Sequence, residues 1–196
     1  IDAPVSGTGA QAKLKDLVVM SSGLKSVVSE CEDIFNSFAR KHMYVGAFGN
    51  GIKFKILANL LVTVHNTVTA EALLLGQKAG LDENMIYNVL NAGAATSVML
   101  DKRMPLMINK QYEPATASMR IFLKDIDVIS QFLKSNNLKS PTFEEVVNKF
   151  LENPRCIQEV ATGAGKTFLT AVLGHRCEAH GRTIVTMPNK SLLRQT

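Results

Sequence analysis

Lys55 and Asn59 are a lysine and an amide whose types and spacing would allow them to act together on one bound molecule. They are four residues apart, so on a helix both side chains reach one bound molecule. Oxidation of an alcohol by hydride loss needs a group that accepts the hydroxyl proton, and a lysine partly removed from water has the lowered pKa that this role requires. Asn59 could hold the hydroxyl or a carboxylate in place. Spacing alone leaves open that Lys55 is an ordinary solvated lysine.

Two other pairs are candidates with weaker local signals. The Ser6-Gly7 turn follows a predicted strand and offers a hydroxyl and backbone N–H groups to a carboxylate, although the pair alone is also simply a turn. Lys124 and Asp125 lie within a predicted helix, where they are equally an exposed pair of charges.

A phosphate-binding pattern lies near the end of the chain, between a predicted strand and a predicted helix. Glycines in such a loop let backbone N–H groups curl around phosphates at the helix N-terminus, while Lys166 reaches the β and γ phosphates and Thr167 holds Mg²⁺. The first glycine of the full motif is replaced by Val160, and no acidic metal-anchoring motif follows. The candidate residues for ATP with Mg²⁺ are Thr162, Gly163, Gly165, Lys166 and Thr167.

The elements that must position these residues fall into three segments. Residues 1–45 show short apolar runs next to Gly/Ser breakers and helical spacing between Leu24 and Phe38, which predicts the end of an α/β domain. Residues 46–150 predict an all-helical domain. Residues 153–196 predict strand, loop, helix and strand, an incomplete α/β fragment. The fold class is therefore mainly α, with partial α/β segments at both ends.

The helical segment opens with a long predicted helix from Gly51 to about Lys78, followed by helices over 83–92, 98–108, 115–135 and 142–151. Asp82 and Ser97 are predicted N-caps, Pro105 is predicted to kink or end its helix, and Glu145 takes the capping-box position of the last helix. The long helix is apolar on more than one face, so we expect a homo-oligomer formed through this domain.

The motifs DAPVSG (residues 2–7), VGAFGNGIKFKILANLL (45–61) and FLKDIDVI (122–129) resemble the β-hydroxyacid dehydrogenases, relatives of 3-hydroxyisobutyrate dehydrogenase, whose helical part is similar to the C-terminal domain of 6-phosphogluconate dehydrogenase. The resemblance covers about 150 residues. It implies an NAD- or NADP-dependent oxidoreductase acting on a small 3-hydroxy acid, with Lys55 and Asn59 catalytic, Ser6 and Gly7 on the substrate acid, and Lys124 and Asp125 near the cofactor.

The sequence also departs from that family. No G-x-G-x-x-G occurs, and the chain begins at the strand that should follow an N-terminal Rossmann half. We therefore expect the isolated chain to be inactive, with its cofactor-binding half missing.

The terminal segment VATGAGKT, followed by TIVTMPNKSLLRQT, resembles the start of a superfamily 2 helicase of the phage type. This resemblance implies the alternative function of an ATP-binding DNA helicase fragment, fused naturally or as a chimera to a non-catalytic helical domain. A third possibility is a helical oligomerisation domain without activity.

Charge and composition bound these hypotheses. Residues 153–196 hold six Lys/Arg against two acidic residues, so only the parent of this basic tail is expected to bind nucleic acid. No run of eighteen apolar residues and no secretory signal is evident, and the three cysteines form no C-x-x-C pair. These features predict a cytoplasmic protein without a membrane span.

Overall fold

The computed structural model describes residues 1–111 and 119–152, which form a small N-terminal sheet followed by helices. The sheet order is β1 (Val5–Ser6), β2 (Leu17–Ser21) and β3 (Ala39–Tyr44), with β1 antiparallel and β3 parallel to the central strand. A short helix, α1 (Gly9–Lys13), joins the first two strands. The predicted mixture of strands and helix in this segment is confirmed in outline.

The crossover between the two parallel strands differs from the single helix predicted over residues 24–38. It consists of α2 (Lys25–Glu30) and α3 (Glu32–Phe38), which break at Cys31. The Cys31 N–H donates to the Val28 carbonyl, a tightened last turn that ends α2 before α3 begins.

The long predicted helix is confirmed as α4 (Asn50–Lys78), 29 residues that span about 43 Å. By length and composition it is apolar enough to cross a membrane. Two of its buried residues, Ile56 and Leu73, pack into separate clusters with the helices that follow.

The following helices are α5 (Glu83–Ala92), α6 (Val98–Ile108), α7 (Met119–Ser135) and α8 (Pro141–Glu152). The predicted caps are confirmed, because Asp82 and Ser97 accept hydrogen bonds from the backbone N–H groups of Met85 and Leu100 at 2.8 and 3.0 Å.

Pro105 does not end α6, which continues to Ile108, the end predicted for that helix; the proline lies close to the helix end, where it removes one backbone hydrogen bond, and fully buried Met104 anchors the same turn. The capping-box prediction for the last helix was wrong. The carboxylate that closes on the start of α8 belongs to Glu144 rather than Glu145. It accepts from the Ser140 N–H at 3.2 Å because the helix begins at Pro141.

The core of the helical part lies along α4. Ile56 joins Ile126, Ile129 of α7 and Phe143 of α8 near its start. Leu73 joins Ile86 of α5 with Leu100 and Met104 of α6 near its end. The long helix is therefore the scaffold that fixes α7 next to the turn that carries Lys55.

Candidate active site

The first turn of α4 is held against the sheet. Gly51 is buried, and a Cβ there would lie 2.5 Å from the Met20 carbonyl oxygen and 2.8 Å from Cδ of Pro4. Only glycine permits this approach. Because Lys55 comes one turn later, its height above the sheet is set by this contact.

The side chain of Lys55 is half-buried between α4 and α7. Burial lowers the pKa of its ammonium below that of an ordinary lysine; the Asp125 carboxylate opposes this decrease and the Lys124 charge adds to it. The structure therefore brings Lys55 and the Lys124–Asp125 pair into one electrostatic neighbourhood. This proximity follows from the buried cluster that contains Ile56 and Ile126, because Ile56 follows Lys55 in α4 and Ile126 follows Asp125 in α7.

The Lys124–Asp125 pair divides into an exposed and a sheltered member. Lys124 Nζ lies 3.9 Å from Asp125 Oδ1, with the lysine side chain 71% exposed and the aspartate 24% exposed. Lys124 is thus free to swing towards a bound molecule, whereas Asp125 stays near Lys55.

Asn59 lies one turn after Lys55 and is half-buried. Its backbone carbonyl accepts a hydrogen bond from Thr63 Oγ1 at 2.9 Å, and Thr63 is almost fully buried. Lys55 and Asn59 share one side of α4, as their spacing predicts.

The Ser6-Gly7 turn lies at the end of β1, with Ser6 opposite Val18 of β2. Gly7 has a φ of 138°, and a Cβ there would lie 2.5 Å from Cδ2 of Leu17. The turn is therefore fixed in a shape that only glycine adopts easily. Pro4, two residues before Ser6, packs against Gly51 and so connects this turn to the start of α4.

Asp2 and Ser22, which bind the start of α4, were not among the predicted site residues. Asp2 Oδ2 accepts from the Ile52 N–H at 2.9 Å, and Ser22 Oγ accepts from the Gly51 N–H at 3.1 Å. One sequence feature indicates the need for such residues. The residue before α4 is Gly49, which has no side chain to cap the helix, so the acceptors must come from elsewhere in the chain.

Comparisons with known proteins show the family of this chain. The family model described as the NAD-binding part of NADP-dependent 3-hydroxyisobutyrate dehydrogenase matches residues 49–167, more than half of the chain. The chain belongs to the 3-hydroxyisobutyrate dehydrogenase-like family. A model of the NAD-binding domain of 6-phosphogluconate dehydrogenase matches residues 1–46.

Individual members of the family align with more than half of this chain. The L-threonate dehydrogenase of Cupriavidus necator is 34% identical over 142 residues, 72% of this chain and 48% of that protein. Glyoxylate/succinic semialdehyde reductase 1 of Arabidopsis thaliana is 30% identical over 59% of this chain and 40% of its own length. The crystal structure of a Salmonella typhimurium 3-hydroxyisobutyrate dehydrogenase superposes with a TM-score of 0.70 at 28% identity, covering 79% of this chain and 54% of that one. The chain spans about half the length of these relatives.

The predicted ATP and Mg²⁺ site, residues 162–167, lies outside the described residues. The dehydrogenase family match extends to residue 167 and so includes this segment. None of the matched proteins named above is a helicase, so the helicase and ATP-binding hypotheses have no support from them.

Proposed function

We propose that this chain is the catalytic and helical part of an NAD(P)-dependent dehydrogenase that oxidises a small 3-hydroxy acid. The observation that carries the proposal is Lys55, a half-buried lysine of lowered pKa, with Asn59 one turn away on the same side of α4. The relatives support the substrate class, because L-threonate is itself a small hydroxy acid.

The proposed reaction assigns one proton transfer to this chain. The neutral Lys55 amine accepts the hydroxyl proton as the carbon–hydrogen bond of the alcohol breaks and the carbonyl forms. Asn59 donates from its amide to the same oxygen or to the substrate carboxylate, and the Ser6-Gly7 turn binds the acid group. A nicotinamide coenzyme supplies the hydride acceptor.

Two of the described residues suit the reacting end of such a coenzyme. Lys124 can extend towards it, with Asp125 beside Lys55. The pyrophosphate normally sits on free N–H groups at a helix N-terminus, but at the start of α4 the N–H groups of Asn50, Gly51 and Ile52 are engaged. Within residues 1–111 and 119–152, the start of α4 is therefore not the pyrophosphate cradle.

Turnover tests this proposal. The chain alone, and the chain joined to the N-terminal domain of the C. necator enzyme, are assayed for reduction of NAD and NADP with L-threonate and with 3-hydroxyisobutyrate. We expect turnover in the joined protein and a loss of about 10²- to 10⁴-fold in Lys55→Ala. Lys124→Ala should have a smaller effect. Unchanged turnover without Lys55 would contradict the assignment.

We also propose that the protein acts as a homodimer paired through α4. Phe54, Leu61, Val68 and Leu75 follow one another every seven residues and are 48%, 53%, 45% and 63% exposed. We call these four residues the α4 stripe. A heptad repeat of exposed apolar residues is typical of a helix that packs on another helix.

Charge favours a second copy as the partner. Residues 56–70 contain no Asp, Glu, Lys or Arg, whereas Lys53 and Glu71 lie beyond the two ends of that interval. They are eighteen residues apart, about five full turns, so both are on the same side of the helix. In an antiparallel two-fold pair, Lys53 of each copy lies opposite Glu71 of the other.

A further inference from the structure

The start of α4 is closed by groups from outside the helix. A helix normally leaves its first four N–H groups without intrahelical partners. Here three of them have acceptors: Asn50 N–H bonds to Ala47 O (3.1 Å), Gly51 to Ser22 Oγ (3.1 Å) and Ile52 to Asp2 Oδ2 (2.9 Å), the last two acceptors coming from residues that flank the sheet. The first intrahelical bond then runs from Lys53 N–H to Gly49 O at 3.4 Å.

Asp2 and Ser22 act as one unit. The Ser22 hydroxyl donates to Asp2 Oδ2 at 3.0 Å while accepting from Gly51. Their backbones also exchange two hydrogen bonds, of 3.0 Å from the Asp2 N–H and 2.7 Å from the Ser22 N–H. Ser22 is fully buried, so its hydroxyl has a fixed environment. A carboxylate at this end of the helix also interacts favourably with the helix dipole.

We propose that Asp2 and Ser22 are positioning residues for Lys55, which they hold at a fixed depth between α4 and α7. Ile52 is three residues before Lys55, less than one turn, so a shift or fraying at Ile52 moves the lysine directly. The relevance of this role to turnover rests on the proposed function.

The position matters because Lys55 is half-buried. The residues on either side of it in α4 are fixed by two contacts, Gly51 on the sheet and Ile56 in the cluster with Ile126 of α7, so the first turn of α4 connects the depth of Lys55 to the sheet. The charged groups that act on its amine, Asp125 and Lys124, come from α7 and not from the sheet. Loss of the Asp2 contact should therefore expose the Lys55 amine to water. It should leave Asp125 and Lys124, the charged groups that act on this amine, in place.

The test compares Asp2→Ala with Asp82→Ala. Asp82 makes an equivalent bond at the start of α5, to the Met85 N–H at 2.8 Å, and is the matched control for loss of a helix cap. Lys55 is acetylated with acetic anhydride over a range of pH, and the modified peptide is quantified by mass spectrometry. Urea unfolding reports the stability of each variant.

We expect Asp2→Ala to raise the pH midpoint of Lys55 acetylation by about half a unit. This shift corresponds to an acetylation rate about threefold lower than that of the wild type at a pH below the midpoint. Asp82→Ala should lose comparable stability and leave that midpoint unchanged. If Asp2→Ala does not fold, Asp2→Asn, which keeps an acceptor oxygen, should give a smaller shift in the same direction. Coincident profiles in the Asp2 variant and wild type, or equal shifts in both alanine variants, would overturn the proposal.

Acetylation needs no turnover, so this result is independent of the dehydrogenase assay. A shifted midpoint with no effect of Lys55→Ala on activity would leave the positioning role intact and refute the catalytic one.

Discussion

The Cδ1 atom of Ile86 occupies the space where a side chain at Gly76 would begin. A Cβ at residue 76 would lie 2.4 Å from that atom and 3.0 Å from Cγ1 of Ile86. Glycine inside a helix costs about 1 kcal/mol relative to alanine, and this close approach of α5 to α4 explains its presence. Ile86 is itself part of the buried cluster around Leu73.

We expect Gly76→Ala to lower the free energy of unfolding, because overpacking of about 1–3 kcal/mol exceeds the gain in helix propensity. In an Ile86→Val background, which lacks Cδ1 but keeps Cγ1, the same substitution should cost less stability. Urea unfolding of the four proteins in a double-mutant cycle measures the coupling. An equal effect of Gly76→Ala in both backgrounds would show that Ile86 is not the obstacle.

Gly51→Ala and Gly9→Ala should have opposite effects on stability. The Cβ at residue 51 meets the Met20 carbonyl oxygen at 2.5 Å, a backbone atom that cannot turn aside, whereas a Cβ at Gly9 has no atom within 4 Å. We expect a loss of at least about 1–3 kcal/mol at residue 51 and a gain of up to about 1 kcal/mol at residue 9. Thermal and urea unfolding compare the two variants. Similar destabilisation by both substitutions would contradict the packing of α4 on the sheet.

Local signals predicted the elements well and long-range contacts poorly. Asp82 and Ser97 cap their helices as predicted, because a cap depends on residues only three positions apart. The bond from Ile52 to Asp2 joins residues fifty positions apart, and nothing in the local sequence specifies that pairing.

The candidate site shows the same division. Lys55 and Asn59 could be predicted as one group because helical spacing alone places them together. That Lys55 lies near Asp125 depends on how α7 docks, which is set by the cluster of Ile56 with Ile126, Ile129 and Phe143. The break at Cys31 had no clear sequence signal, since the apolar spacing continues through it.

Burial of Lys55 should cost stability at neutral pH. Its folded-state pKa is lowered from 10.5, so between the folded and unfolded pKa values the unfolded chain binds more protons, and stability rises with pH there. We expect Lys55→Met to increase the free energy of unfolding near pH 7, and this gain should shrink as the pH rises through that window. Urea titrations over pH test the trend. Lys53→Met, an exposed control on the same turn, should show no such gain at neutral pH.

The proposed dimer predicts that one charge in the α4 stripe converts it to a monomer. Leu61→Glu should do so, because each copy would bury a carboxylate against apolar side chains, while Leu14→Glu, at an exposed site on the sheet side, should leave the mass unchanged. Light scattering after size exclusion gives the mass.

The charge pairs test the orientation of the two helices. Every protein in this test carries Lys149→Met, because Lys149 otherwise pairs with Glu71 at 3.2 Å. In that background Lys53→Glu should weaken the dimer, and the double variant Lys53→Glu/Glu71→Lys should restore it. A wild-type monomer at micromolar concentration would contradict the proposed dimer. A dimer that survives Leu61→Glu would place the interface elsewhere.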